Sequence, residues 1–83
     1  MNYSELYYIL CIDKHQNLTK AAQELYISQP TLTKHLQKLE REMGAKLFSR
    51  NGNTYVPTYT GRKYMEYARK ILQVKQDWEK ELK

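Results

Sequence analysis

Leu32, Leu36 and Leu39, with Met43 next, recur in steps of four, three and four, the spacing of one stripe along an α-helix. Such a stripe has to be buried, so the segment must be held rigidly in whatever the chain builds. The other side of the same helix carries Pro30, Thr33, Lys34, Gln37, Lys38 and Arg41, a face with donors and acceptors but no acid. Taken alone, that face is a solvated helix surface. Its neighbours in the chain decide whether it is more.

Ser28 offers a cap for this helix, and Pro30 falls in its first turn, where a missing N–H removes no intrahelical bond. Gly44 suits its C-terminal end. Upstream, a helix from about Ser4 to His15 places Tyr3, Leu6, Ile9 and Leu10 on one face. Asn17 and Thr19 both suit the cap of a short second helix, Leu18 to Leu25, with Leu18, Ala21, Ala22 and Leu25 turned inward. Adjacent alanines there let another helix approach closely.

Downstream the period changes. Leu47 to Arg50 and Thr54 to Val56 read as short strands joined by Asn51-Gly52-Asn53, a hairpin signal, and Pro57 closes the second. Thr58 can cap a last helix reaching about Leu82, roughly 36 Å long at 1.5 Å per residue. That is too long to lie entirely on so small a body. Tyr64, Ala68, Ile71, Lys75, Trp78 and Leu82 form a heptad-like seam along it, broken by Lys75. The expected fold is mainly α: a winged helix-turn-helix of three helices plus a small two-stranded wing, then a long linker and dimerisation helix. The expected division is residues 1–57 for the winged helix-turn-helix and 58–83 for the linker helix.

With 83 residues there is room for one domain, near the size at which a single core becomes marginal. Mean hydropathy is −0.84, and no apolar run approaches the ~18 residues of a membrane span. The N-terminus lacks a basic stretch followed by an apolar one, so no secretory leader is expected. Cys11 stands alone and reads as a small core hydrophobe. The expected compartment is the cytoplasm. Net charge is +5, and between Lys20 and Lys70 ten Lys/Arg face four acids, so the excess sits mid-chain and suits a polyanionic partner.

Enzyme chemistry is not expected. His15 and His35 are the only histidines, and neither reads as having a second ligand at metal-binding spacing. Glu40 and Glu42 point to different sides of a helix, and no glycine-rich phosphate loop occurs. The expectation is no metal and no cofactor.

A short helix, a tight turn at Tyr26-Ile27 and a second helix with a donor-rich outer face make a helix-turn-helix, with a recognition helix at about 29–43. In a major groove Gln29 can pair with an adenine edge, and Lys34 with guanine O6 or N7. The methyl of Thr31 or Thr33 can meet a thymine methyl. Lys38, farther along, is placed to meet the phosphate backbone. Eight tyrosines suit stacking on single strands, but Tyr3, Tyr8, Tyr55 and Tyr64 fall on inward or seam positions, which favours packing.

The run from Asn17 to Lys34, NLTKAAQELYISQPTLTK, closely resembles the signature of LysR-type transcriptional regulators. The resemblance continues through Leu39-Glu40, Gly44, Leu47-Phe48-Ser49-Arg50 and Thr58-Tyr59-Thr60-Gly61. It implies an N-terminal winged helix-turn-helix followed by a dimerising linker helix. It carries the family's base and phosphate contacts onto Gln29, Pro30, Thr33, Lys34 and Arg50, with Thr31 and Gln37 at neighbouring contact positions. It also implies double-stranded DNA with an interrupted palindromic operator, and a homodimer through Tyr64, Ala68, Ile71, Trp78 and Leu82. Lys34 stands where an arginine is usual, which exchanges a bidentate fork for a point charge. The wing, Asn51 to Thr54, is short and uncharged, leaving its grip to Arg50. Family members continue into an effector-binding domain, so small-molecule control is expected only through a C-terminal domain missing here. A fragment of a longer regulator is the preferred reading over a naturally short repressor. Two other functions compete: a protein-interaction module using the last helix, and a non-specific architectural DNA binder.

Overall fold

The computed structural model describes residues 2–83. Its order is α1 (Tyr3–His15), α2 (Leu18–Leu25), α3 (Gln29–Met43), β1 (Phe48–Asn51), β2 (Thr54–Pro57) and α4 (Tyr59–Glu81). Each helix starts on a residue whose side-chain oxygen accepts an otherwise orphaned backbone N–H. Asn2 takes that of Glu5 at 2.9 Å, Asn17 that of Lys20 at 2.8 Å, Ser28 that of Thr31 at 3.2 Å and Thr58 that of Gly61 at 3.0 Å. Between Asn17 and Thr19, the structure selects Asn17 as the cap of α2.

Three of the four helices end in the left-handed region, at Gln16, Tyr26 and Gly44. Gly44 adopts φ +69° without a Cβ penalty, whereas Tyr26 holds φ 58° against an intrinsic cost of about 1–2 kcal/mol. The Tyr26 and Ile27 N–H groups bond back to Gln23 and Ala22 carbonyls at 3.2 and 3.1 Å. That closure fixes the turn between α2 and α3.

The core lies where α1, α2 and α3 meet, around Ile9, Ile12, Leu18, Ala21, Leu32 and Leu36. β1 and β2 pair antiparallel, with Ser49 opposite Val56 and Arg50 opposite Tyr55. Phe48 anchors the hairpin in the core, and its ring meets Tyr55 edge-on at 6.4 Å. The Tyr55 N–H reaches the Gln16 carbonyl at 3.0 Å, tying the wing to the end of α1. Leu10 and Leu25, expected inside, are only half-buried, and Tyr3 and Met43 are exposed. Tyr3 and Met43 sit at helix ends, where less of the body covers them, although Lys75 of α4 still reaches the Tyr3 ring.

Along α4, Gly61, Met65, Ala68 and Leu72 are buried. Ala68 and Leu72 pack with Leu6 of α1, and Tyr64 and Ile71 flank them. The first half of α4 therefore completes the fold, and the second half projects beyond it. No helix among the described residues is long and apolar enough to cross a membrane.

Gly61 is the tightest joint. A Cβ built there would collide with the backbone carbonyl of Leu47, and that carbonyl is fixed because it accepts the Thr58 N–H at 3.0 Å. Helix propensity alone favours alanine over glycine by about 0.5–1 kcal/mol. Overpacking against immobile backbone costs about 1–3 kcal/mol. Gly61→Ala is accordingly expected to destabilise the fold by about 1–2 kcal/mol in urea unfolding; a gain in stability would show that the joint is slack.

Candidate nucleic-acid interface

Leu32, Leu36 and Leu39 bury one stripe of α3 in the core, which fixes the rotation of the helix. Gln29, Pro30, Thr31, Lys34, Gln37, Lys38 and Arg41 are left exposed, and Thr33 half-buried. The first turn is organised before any partner arrives. Ser28 Oγ donates to Thr31 Oγ1 at 2.7 Å, and Gln29 Nε2 donates to Thr33 Oγ1 at 3.1 Å. Thr33 Oγ1 in turn donates to the Gln29 carbonyl at 3.0 Å. Because the Thr33 hydroxyl is engaged locally, its methyl is the group left to offer outward. Gln29 keeps its amide oxygen and a second N–H for a partner.

The wing stands beside this face. Thr33, Gln37 and Arg50 line a cleft between α3 and the hairpin, and Gln29 and Arg50 share a second, smaller one with Asn17 and Asn53. The Arg50 guanidinium lies 5.3 Å from the Tyr55 ring centroid, a cation–π contact that steadies it at the cleft edge. Among the described residues, Lys34, Arg41 and Arg50 have no carboxylate within 4.0 Å. Lys38 differs. Its Nζ lies 3.9 Å from Glu42 one turn on, so its charge is partly countered within the helix.

Glu40, to which the sequence reading gave no role beyond excluding an acid/base pair with Glu42, has a positioning role. Glu40 is 8% exposed, and its Oε2 accepts the Leu47 N–H at 2.7 Å, with Lys46 Nζ 3.8 Å from Oε1. This bond sets the distance between α3 and the strand that carries Arg50. Nothing local in the sequence marks it, because Leu47 arrives through the tertiary fold.

The histidine expectation also needs correction. Cys11 and His15 are one turn apart on α1, and Glu24 of α2 joins them, with donor atoms of all three within 4.8 Å of one another. Cys11 Sγ lies 3.0 Å from Glu24 Oε2, and His15 Nε2 3.1 Å from Oε1. The i, i+4 spacing of Cys11 and His15 was visible in the sequence, but the arrival of Glu24 was not. Burial, then the hydrogen bond to Glu24, pushes the Cys11 thiol up to about 12. Hydrogen bonds from Lys14, Cys11 and His15 hold the Glu24 carboxyl down at about 2.

The proposed dimerisation seam divides in two. Ala68 is 0% exposed against α1, so it has no surface to give a partner, and Tyr64 is half-buried with its hydroxyl enclosed. Ile71 is partly covered, while Trp78 and Leu82 are open at 62% and 65%. Val74, not anticipated, is open at 69%. Lys75 is satisfied within the chain, 3.1 Å from Glu79 and 5.2 Å from the Tyr3 ring centroid.

The model of the bacterial regulatory helix-turn-helix proteins of the lysR family matches residues 3–62. The chain belongs to the LysR family. Relatives are transcriptional regulators, not enzymes: CitR of Bacillus subtilis is 39% identical over 72 residues, 87% of this chain and 25% of that protein. The chain spans about a quarter of the length of such curated relatives. A solved complex of the CbnR DNA-binding domain with DNA superposes at a TM-score of 0.89 and 30% identity, over 98% of this chain and 93% of that one. The BenM DNA-binding domain on benA site 1 DNA superposes at 0.91 with 32% identity, over 99% and 92%. This LysR-family chain is thus a mainly helical winged helix-turn-helix, as the sequence implied.

The Glu40 bond yields a direct check. Glu40→Ala leaves the enclosed Leu47 N–H without its partner and is expected to cost about 1–3 kcal/mol in denaturant unfolding. An unchanged midpoint would show that the bond does not hold the wing.

Proposed function

We propose that this chain is the sequence-specific double-stranded DNA-binding part of a bacterial LysR-type transcription regulator, acting in the cytoplasm with α3 in the major groove. One observation carries the reading: a rigidly buried helix offers Gln29, Thr33, Lys34 and Gln37 across a cleft from Arg50. Gln29 reads an adenine edge, Lys34 a guanine, and the Thr31 or Thr33 methyl a thymine. Pro30 starts the helix and packs beside the bases. Arg50 and Lys38 meet phosphates, and the open N-terminus of α3 adds partial positive charge toward them. The ion pair with Glu42 makes Lys38 the weaker of the two.

In this reading residues 1–57 bind DNA, and residues 58–83 link and dimerise. Trp78 and Leu82, with Val74 and the uncovered edge of Ile71, support a second copy meeting α4 beyond the body. Tyr64 and Ala68 contribute by holding α4 on α1 rather than by direct contact. A dimer places two recognition helices on the half-sites of an interrupted palindrome. We assign any small-molecule response to the portion of such regulators outside the stretch matched here.

Trp78→Ala and Val74→Asp should each shift the chain toward monomer in sedimentation at micromolar concentration; dimers unaffected by both would place the interface elsewhere. On DNA the two kinds of contact separate. Gln29→Ala should cost about 1–3 kcal/mol on the best operator and relax preference at one base pair. Arg50→Ala should weaken operator and scrambled duplex alike and reduce the salt slope by about one unit. Binding of both variants to both duplexes across a salt series checks this. Equal losses on the two duplexes for Gln29→Ala would remove base readout from this face, and no duplex binding at low salt would favour a protein-interaction module.

A further inference from the structure

The Cys11, His15 and Glu24 cluster shares no residue with the α3 face or the wing, and DNA binding leaves it without a task. Its parts come from two helices. Cys11 and His15 project from one face of α1, a turn apart, and Glu24 reaches them from the last turn of α2. We propose that Cys11 Sγ, His15 Nε2 and a Glu24 carboxylate oxygen form a binding site for a zinc-class divalent transition cation.

The donor set is one sulfur, one imidazole nitrogen and one carboxylate oxygen. Magnesium and calcium select all-oxygen sites, whereas zinc and its neighbours accept this mixture. Zinc bonds of about 2.0–2.3 Å in a tetrahedron separate adjacent donors by about 3.3–3.6 Å. Cys11 Sγ lies 3.0 Å from Glu24 Oε2 and His15 Nε2 3.1 Å from Oε1, and with one carboxylate oxygen taken as ligand no two of the three donors are more than 4.8 Å apart. Coordination requires the Glu24 carboxylate to turn until one oxygen faces both Cys11 Sγ and His15 Nε2, a change asked of side chains that already touch. Three protein ligands leave a fourth position for water.

Binding exchanges protons and partners without redox change. The Cys11 S–H proton leaves to solvent as the sulfur–metal bond forms, and neutral His15 supplies the Nε2 lone pair. Lys14 Nζ, now 2.7 Å from Glu24 Oε1, must release that oxygen, and its side chain is 65% exposed, so it can swing into solvent. The ion then replaces a hydrogen-bonded bridge between α1 and α2 with coordinate bonds. Because α2 is the first helix of the helix-turn-helix and α1 packs on α4, the site would join the DNA-reading half to the linker helix.

Cobalt(II) gives a direct readout, because Cys11 is the only cysteine in the chain and a thiolate-to-cobalt charge-transfer band can arise from no other residue. The full 83-residue chain, free of any affinity tag and kept reduced by a phosphine, is titrated with cobalt chloride and then with zinc chloride. The expected result is a charge-transfer band with tetrahedral visible absorption, saturating at one cobalt per chain and bleached by zinc. His15→Gln and Glu24→Gln should each weaken binding at least about tenfold, since even outer-shell losses cost 10–100-fold. Absence of the charge-transfer band at saturating cobalt overturns the proposal. So does a band whose affinity neither variant changes.

Discussion

Leu47 joins three elements through every group it has. Its side chain is fully enclosed, its N–H is held by the Glu40 carboxylate at 2.7 Å, and its carbonyl accepts the Thr58 N–H at 3.0 Å. Gly61 packs directly on that carbonyl. Thr58 adds a hydroxyl bond to the Lys46 carbonyl at 2.7 Å while capping α4. Within a few residues, α3, β1 and α4 are thus fixed to one another by directional polar bonds, and the buried one, from the Leu47 N–H to Glu40, is costly to strand. Hydrophobic packing alone would tolerate sliding; these bonds have direction and do not.

The geometry of the α3 face depends on that joint. The leucine stripe sets which side of α3 looks outward, and Glu40 on the same helix sets where the wing stands relative to it. Arg50, the third residue of the strand that follows Leu47, is therefore carried beside Thr33 and Gln37 at the edge of their shared cleft. The local bonds among Ser28, Gln29, Thr31 and Thr33 add order to the N-terminal end of the helix. Less side-chain freedom then remains to be lost on binding, which favours affinity at constant contact area.

Features set by short-range chemistry were legible in the sequence. Ser28 and Thr58 cap their helices as expected, Asn17 is the one of two candidates that caps α2, Gly44 takes the left-handed end of α3, and Gly52-Asn53 turns the hairpin, with Asn51 in β1 rather than in the turn. What sequence reading missed depends on distant partners. The role of Glu40 was not legible because the Leu47 N–H is seven positions away and outside the helix. The α4 seam, interrupted in the sequence only at Lys75, looked like one dimer surface because periodicity does not say which neighbour covers which turn; α1 takes Ala68 and leaves Val74 and Trp78 bare. Tyr26 carried no sign of a left-handed backbone, since the turn is closed by α2 carbonyls rather than by its own side chain. Cys11 and His15 lacked meaning until α2 delivered Glu24.

The central claim is that the exposed side of α3, not α4 or the outer face of α1, meets the bases. Chemical-shift mapping of the isotope-labelled chain, titrated with a duplex enriched from a random pool, tests it most directly. The account predicts the largest shifts at Gln29, Thr33, Lys34 and Gln37, followed by Arg50, with Tyr7 and Tyr67 unmoved. Shifts concentrated on α1 and α4, with the first two turns of α3 silent, would contradict it.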